Sequence, residues 1–187
     1  MAGGLSLLSW NGSMFEYLMP PLLLPSHAGS LLGQSERAAV EVQRQHGRDK
    51  GVPWGISESA FASRDPEHRY RYRAFGVPAL GLRREQARDL VVAPYATALA
   101  LAVNPAAAMD NLLELQRLGL VGSYGLYEAA DYSVERVASG RRFTAVRAFM
   151  AHHQGMILAA LDNALCADVL VRRFREEPRV RIMELLL

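Results

Sequence analysis

Apolar residues recur at helical spacing along most of this chain. The stretch 90–103 is apolar nearly all round, so we expect it to be a buried helix. A stripe of apolar residues over 144–165 predicts the longest helix, and Gly155 within it indicates close approach by a neighbour or ligand. The predicted helices are 13–18, 35–46, 90–103, 104–119, 144–165, 172–177 and 179–187.

Two long connectors, 51–82 and 119–132, separate these helices and are rich in glycine and aromatic residues. Tyr70, Tyr72 and Phe75 nearly alternate with polar residues in the first connector, which predicts a short hairpin there. Long connectors inside a compact domain usually carry function. The pattern therefore predicts an all-α fold with a cleft built from long loops.

Composition excludes several classes of protein. Half of the 187 residues are hydrophobic, as in a packed globular domain, and the net charge of +2 is too small for a nucleic-acid-binding surface. The single cysteine, Cys166, cannot form an internal disulfide. No membrane-spanning helix is expected, because the longest apolar stretch is short and contains Pro94.

Common cofactor and nucleophile motifs are absent from the sequence. There is no dinucleotide fingerprint, no P-loop and no nucleophile elbow. His152 and His153 are adjacent, so on a helix they point about 100° apart and cannot form a metal-binding pair. We therefore expect neither a metal nor an organic cofactor.

Glu58 is the first candidate for acid chemistry. It follows Trp54 and Gly55, an aromatic face and an open backbone of the kind that contacts a pyranose. Small and apolar neighbours favour a raised pKa for Glu58, which suits a general acid. The alternative is a carboxylate at a helix start that Ser57 caps.

Glu128 and Asp131 form a second acidic group, next to Tyr124 and Tyr127. On a helix they would share a face at i, i+3 spacing, and two carboxylates among tyrosines would make a sugar subsite. The alternative is a pair of acids in the first turn of a helix.

Polar residues in apolar surroundings give the remaining candidates. Glu16 lies beside Phe15 and Tyr17, where a structural ion pair is the alternative to a catalytic role. His152, His153 and Gln154 interrupt an apolar helix, and such a triplet can bind sugar hydroxyls. The alternative is one core histidine whose hydrogen bonds are satisfied.

Six segments together resemble a known family, the glycoamylase-like domain of bacterial cyclic β-1,2-glucan synthases. They occur in order and cover almost the whole chain: 8–20 (LSWNGSMFEYLMP), 51–61 (GVPWGISESAF), 75–82, 92–97 (VAPYAT), 124–129 and 150–156 (MAHHQGM).

The resemblance implies part or most of an (α/α)6 toroid that acts on β-1,2-linked glucan. It implies hydrolysis or transglycosylation, the latter closing a linear chain into a ring. It also implies that residues 1–187 are a fragment of a much larger bacterial protein. That parent would be anchored in the inner membrane, with this segment on the cytoplasmic face and other synthase domains as its partners.

The resemblance further implies a catalytic pair, Glu58 and Glu128, with Glu16 in reserve. We expect these two carboxyl groups about 5 to 10 Å apart, as in glycosidases. A non-catalytic glucan-binding module and a structural spacer are the alternatives. The expected substrate contacts are Trp54, Tyr95, Tyr124, Tyr127, Asp131, His152, His153 and Gln154.

Overall fold

Runs of helices and runs of short strands follow one another along the chain, which the computed structural model describes over residues 6–83 and 89–184. The helices are α1 Met14–Leu18, α2 Leu31–Lys50, α3 Pro94–Leu99, α4 Pro105–Arg117, α5 Ala151–Leu165, α6 Val169–Arg175 and α7 Pro178–Glu184. The strands are β1 Ser59–Arg64, β2 Tyr70–Arg73, β3 Val91–Val92, β4 Val121–Gly122, β5 Gly125–Leu126, β6 Ala129–Asp131 and β7 Thr144–Val146.

The predicted all-α fold is wrong, and with it a toroid of helix pairs, because the strands of the described residues form three small sheets. β1 and β2 form an antiparallel hairpin, which confirms the hairpin predicted around Tyr70 and Tyr72. β6 lies between β3 and β7, antiparallel to both, and β4 pairs with β5. In the pairing of β3 with β6, Val91 lies opposite Asp131. Because β3 has only two residues and its partner is distant along the chain, it leaves no periodic signal in the sequence.

The helix α2 is longer than the predicted 35–46. The Ser30 side chain accepts the Gly33 N–H and caps its start, and Gly51 ends it with φ of +66°. Gly47 does not stop the helix. It lies against Trp54, where an added Cβ would come within 3.0 Å of the Trp54 Cβ, so this glycine permits close packing.

The centre of the molecule is α3, every residue of which is buried. It packs against α1, α4 and α5. This confirms that most of 90–103 is buried, since residues 91–101 are, although only part of it is α-helix, because β3 takes its beginning into a sheet. α4 begins as predicted, with the Asn104 side chain accepting the Ala107 N–H at 3.1 Å.

The helix α5 begins at Ala151 rather than at 144, because β7 pairs with β6. The close neighbour expected at Gly155 is not found: this glycine is exposed, and none of the described residues lies within 4 Å of an added Cβ. α6 and α7 are separated before Pro178, as predicted. The last part of predicted helix 179–187, residues 185–187, lies outside the described residues.

Within the described ranges, no single helix is both long and apolar enough to cross a membrane. Only α5 and α6 taken together, with a bend of 95° between them, meet that length and composition.

Candidate active site

A buried carboxylate and an imidazole meet where β6 lies beside the start of α5. Glu128 is 2% exposed, and its Oε1 accepts the Ala60 N–H at 3.0 Å. Its Oε2 lies 2.9 Å from Nδ1 of His153, which is 1% exposed. Because an ionised carboxylate only accepts hydrogen bonds, Nδ1 carries the proton, and the other ring nitrogen, Nε2, is left for a further partner.

Two tyrosines contact the other sides of His153. The Tyr95 ring from α3 stacks on the imidazole, with the centroids 3.7 Å apart and the planes 10° from parallel. The Tyr95 hydroxyl donates to the Glu58 carbonyl at 3.1 Å and lies 2.8 Å from the Ser57 hydroxyl. Burial is the main cause that raises the pKa of Tyr95. The Tyr72 hydroxyl, from β2, lies 3.4 Å from Nε2 of His153.

Glu58, immediately before β1, is half-buried, and its Oε1 lies 3.3 Å from the Tyr72 hydroxyl. Tyr72 is 40% exposed, so this end of the set is open to solvent. Burial raises the pKa of Tyr72, and the nearby charge of Glu58 raises it further. Glu58 and Glu128 therefore lie at the two ends of one chain of polar contacts that passes through Tyr72 and His153.

The neighbours of His153 on α5 have different surroundings. His152 is exposed, with its ring centroid 4.0 Å from that of His153 and 6.1 Å from that of Tyr72. Burial and the nearby His153 lower the pKa of His152. The Gln154 amide donates to the Leu126 carbonyl at 2.9 Å, which joins α5 to β5. His152 is therefore the member of the predicted triplet that faces solvent.

Tyr124 and Tyr127 lie in and beside the β4–β5 hairpin, against Phe149. The Tyr124 ring meets Phe149 edge-on at 5.6 Å and is 80% exposed. The Tyr127 ring lies 5.3 Å from the same phenylalanine and covers Gly122, where an added Cβ would come within 2.7 Å of it. Tyr124 thus offers a free aromatic face.

The Glu16 side chain makes its hydrogen bonds to the loop before α1. Its carboxylate accepts the backbone N–H groups of Asn11 and Ser13, and the hydroxyls of Ser9 and Ser13. Burial works to raise the pKa of Glu16, but these hydrogen bonds outweigh it and lower the pKa. The local capping box, rather than the expected ion pair, accounts for this residue.

Asp131 is fully buried and makes a structural ion pair. Its carboxylate accepts from Arg136 Nε at 2.6 Å and from the N–H groups of Ala62 and Ser133, each at 3.0 Å. The helical i, i+3 face expected for Glu128 and Asp131 is wrong, since β6 is a strand. Both carboxylates instead accept backbone N–H groups of β1, which satisfies one edge of that strand.

Trp54 is 8% exposed and packed between α2 and α4. Its backbone N–H and C=O both bond to the Asn111 side chain. The cavity beside it, of about 380 Å³, is lined by Arg44, Arg142 and other residues that do not include Glu58 or Glu128. Trp54 and the buried Tyr95 are therefore not brought together on an open sugar-binding face, because both rings pack in the core.

Sequence reasoning missed Tyr72 as a site residue. Its alternation with Tyr70 marked the hairpin, and the opposite residue Ala60 lies two positions after Glu58. That register places the Tyr72 side chain beside the acid. Among the residues with described positions, no group of three or more His, Cys, Asp or Glu side chains is arranged to hold a metal ion.

Comparison with known proteins gives a family and a fold. The glycoamylase family model, described as "Putative glucoamylase", matches residues 2–178. The cyclic beta-(1,2)-glucan synthase NdvB of Rhizobium meliloti (strain 1021) is 45% identical over 182 residues, which are 97% of this chain and 6% of that protein. The chain thus spans a small part of its curated relative.

Two solved structures share the architecture. An endo-beta-1,2-glucanase from Chitinophaga pinensis matches with a TM-score of 0.64 and 18% identity, over 92% of this chain and 40% of that chain. A beta-1,2-glucanase from Parabacteroides distasonis matches with a TM-score of 0.61 and 19% identity, over 91% and 23%. The fold is therefore one found in β-1,2-glucanases. The family model matches most of the sequence, so this chain belongs to the glycoamylase family.

Proposed function

We propose that this domain cleaves and transfers glycosidic bonds of β-1,2-glucan, using Glu58 and Glu128, as part of cyclic β-1,2-glucan synthesis. The observation that carries the proposal is the connected set from half-exposed Glu58 through Tyr72 and His153 to buried Glu128. The names of the related synthase and glucanases support the choice of substrate.

The two carboxylates are suited to different roles. Glu58 is the one that solvent reaches, so we assign it the proton transfer to and from the glycosidic oxygen. Glu128 accepts two hydrogen bonds, one at each oxygen, and we assign it the role of the second carboxylate of the pair. Hydrolysis and transfer then differ only in the acceptor, which is water or a sugar hydroxyl.

The exposed groups around Glu58 supply the substrate contacts in this proposal. Tyr124 offers an aromatic face for a sugar ring, and His152 offers polar atoms for its hydroxyls. Tyr127 supports the hairpin on which Tyr124 lies.

We propose that the domain works within a larger synthase whose other domains are its partners, because the chain covers 6% of the related protein. That parent would be bacterial and anchored in the inner membrane, with this domain on the cytoplasmic face. Fractionation of the native host, with protease added outside spheroplasts, tests the placement: the domain should remain in the membrane fraction and resist the protease.

One observation favours a second function, a glucan-binding module without turnover. The Glu128 side chain is 0% exposed, so in this conformation it contacts only protein groups. A site with a single accessible carboxylate would bind glucan without completing a two-carboxylate reaction.

An activity assay distinguishes the catalytic function from the glucan-binding module. The purified protein is incubated with linear β-1,2-glucan, and the products are analysed by mass spectrometry. We expect Glu58→Gln to lower the rate by about 10²- to 10⁴-fold, the usual contribution of a general acid or base. Glu128→Gln should also be impaired, whereas the exposed control Glu135→Gln should match the wild type. Glucan binding without products would support the binding module, and neither binding nor products would reject both functions.

A further inference from the structure

The Tyr72 hydroxyl has one proton and two polar neighbours. Its oxygen lies 3.3 Å from Glu58 Oε1 and 3.4 Å from His153 Nε2. A phenol donates one hydrogen bond at a time. When Tyr72 donates to one neighbour, the contact with the other is satisfied only if that neighbour donates to the Tyr72 oxygen.

Two arrangements satisfy all three groups. In the first, Glu58 is protonated and donates to Tyr72, which donates to Nε2 of a neutral His153. In the second, Nε2 of a protonated His153 donates to Tyr72, which donates to the Glu58 carboxylate. Both contain the same number of protons, and in both His153 Nδ1–H donates to Glu128.

We propose that Tyr72 and His153 form a proton relay that sets the protonation of Glu58, with Glu128 as the residue that positions His153. The proposal rests on the acid–base role proposed for Glu58. Before Glu58 protonates the leaving oxygen, the Tyr72 proton passes to the Glu58 carboxylate as the Nε2 proton of the protonated His153 passes to Tyr72, which converts the second arrangement into the first. The net step moves one proton from His153 to Glu58, and no further reactant is needed.

The contacts of His153 hold its ring in one orientation. The Glu128 carboxylate at Nδ1 balances the charge of an imidazolium and fixes the orientation of the ring. Among the described residues, the other titratable groups that face His153 are Tyr95, stacked on its ring, and His152, its neighbour on α5. Distances of 3.3–3.4 Å are loose, as is common before substrate binding tightens a site.

Ring-nitrogen NMR tests the relay without substrate. At the pH where the His153 ring is half-protonated in the wild type, Glu58→Gln should move its Nε2 resonance toward the neutral, acceptor position. The neutral amide, unlike a carboxylate, can donate to the Tyr72 oxygen, which leaves Tyr72 to donate to Nε2. In a Tyr72→Phe background, more than half of that movement should be lost.

Two controls accompany this measurement. Tyr70→Phe, on the same strand, should leave the movement intact, since the described contact of Tyr70 is with Arg64. The His46 signal, from α2, serves as the internal reference, and circular dichroism checks the fold of each variant. An equal Nε2 movement with and without the Tyr72 hydroxyl, or no movement at all, would overturn the relay.

Kinetics give a second readout that a purely structural role would not produce. In a protein that turns over glucan, Tyr72→Phe should lower kcat about tenfold or more, leave KM near the wild-type value and change the shape of the pH–rate profile. A proportional loss at every pH would contradict the relay. If the wild type shows no turnover, the proposed function fails, and the ring-nitrogen result alone decides whether the groups are coupled.

Discussion

Replacing Asp131 with asparagine should destabilise the fold by about 3 kcal/mol. The carboxylate is fully buried and accepts hydrogen bonds from Arg136 and from the backbone of Ala62 and Ser133. Asparagine removes the charge and points an N–H group at one of these donors. In the wild type, the Asp131 carboxylate thus joins β6 to β1 and to the turn after β6.

The size of this destabilisation depends on which partners Arg136 keeps in the variant. Breaking a buried ion pair from one side costs about 3–5 kcal/mol, because an uncompensated charge remains. Here Arg136 keeps Asp89 as a partner at 2.7 Å, which places the cost at the lower end. The free energy of unfolding of a small protein falls by about 1–3 kcal/mol for each molar of urea. A loss of about 3 kcal/mol should therefore lower the urea midpoint of unfolding by about 1–3 M.

The effect should also depend on pH. Burial works to raise the pKa of Asp131, but hydrogen bonds from Arg136, Ser133 and Ala62 outweigh it and lower the pKa. A lowered pKa in the folded state stabilises the protein above the ordinary pKa of about 4, and this contribution is lost as the pH falls further. The difference in unfolding free energy between the wild type and Asp131→Asn should therefore have its full value at pH 7 and should shrink below a pH of about 4.

Urea unfolding followed by circular dichroism measures this difference. Glu114→Gln is the matched control, because Glu114 meets Arg117 at 3.5 Å on the surface, where such a pair contributes less than about 1 kcal/mol. An Asp131→Asn midpoint equal to that of the wild type would refute the structural role. Unchanged stability with weakened glucan binding would instead restore Asp131 as a substrate contact.

Two further substitutions test the packing behind the site. Gly76→Ala should cost about 1–3 kcal/mol or more, because its Cβ would collide with the backbone carbonyl of Asn11. Gly29→Ala, in open space, should stay within about 0.5 kcal/mol of the wild type in the same urea assay. Gln43→Leu strips the buried Ile56 N–H of its acceptor at 2.8 Å and should lower the thermal midpoint, at a cost of about 1–3 kcal/mol. An unchanged midpoint would show that this bond does not hold α2 to the segment before β1.

Local signals made part of the fold predictable. Ser13 and Asn104 cap helices with their own side chains, so the starts of α1 and α4 could be placed from a few neighbouring residues. The apolar run through α3 correctly indicated burial. Each of these features depends on a handful of consecutive residues.

Long-range pairing made the rest unpredictable. β3 and β7 are two and three residues long, and both pair with β6. Apolar stretches of this kind fit a helical pattern as well as a strand. Gly155 misled for a related reason: whether a neighbour from elsewhere in the chain approaches a glycine, as at Gly47 but not at Gly155, is not visible in the local sequence.

The candidate site was predictable in its residue types more than in its geometry. The glycine and aromatic context singled out Glu58 and Glu128, and the structure joins them through residues 14 and 25 positions further along the chain. The partner of Asp131 could not be seen, because Arg136 becomes its neighbour only once β6 ends in a turn. Trp54 has the composition of a sugar platform, but its ring packs in the core.

The most direct test of the account is a crystal structure of the Glu58→Gln protein with a linear β-1,2-gluco-oligosaccharide. The account predicts a glycosidic oxygen within about 2.6–3.2 Å of the side chain at position 58, with sugar rings beside Tyr72 and Tyr124. An oligosaccharide bound in the cavity beside Trp54, with position 58 out of contact, would contradict it.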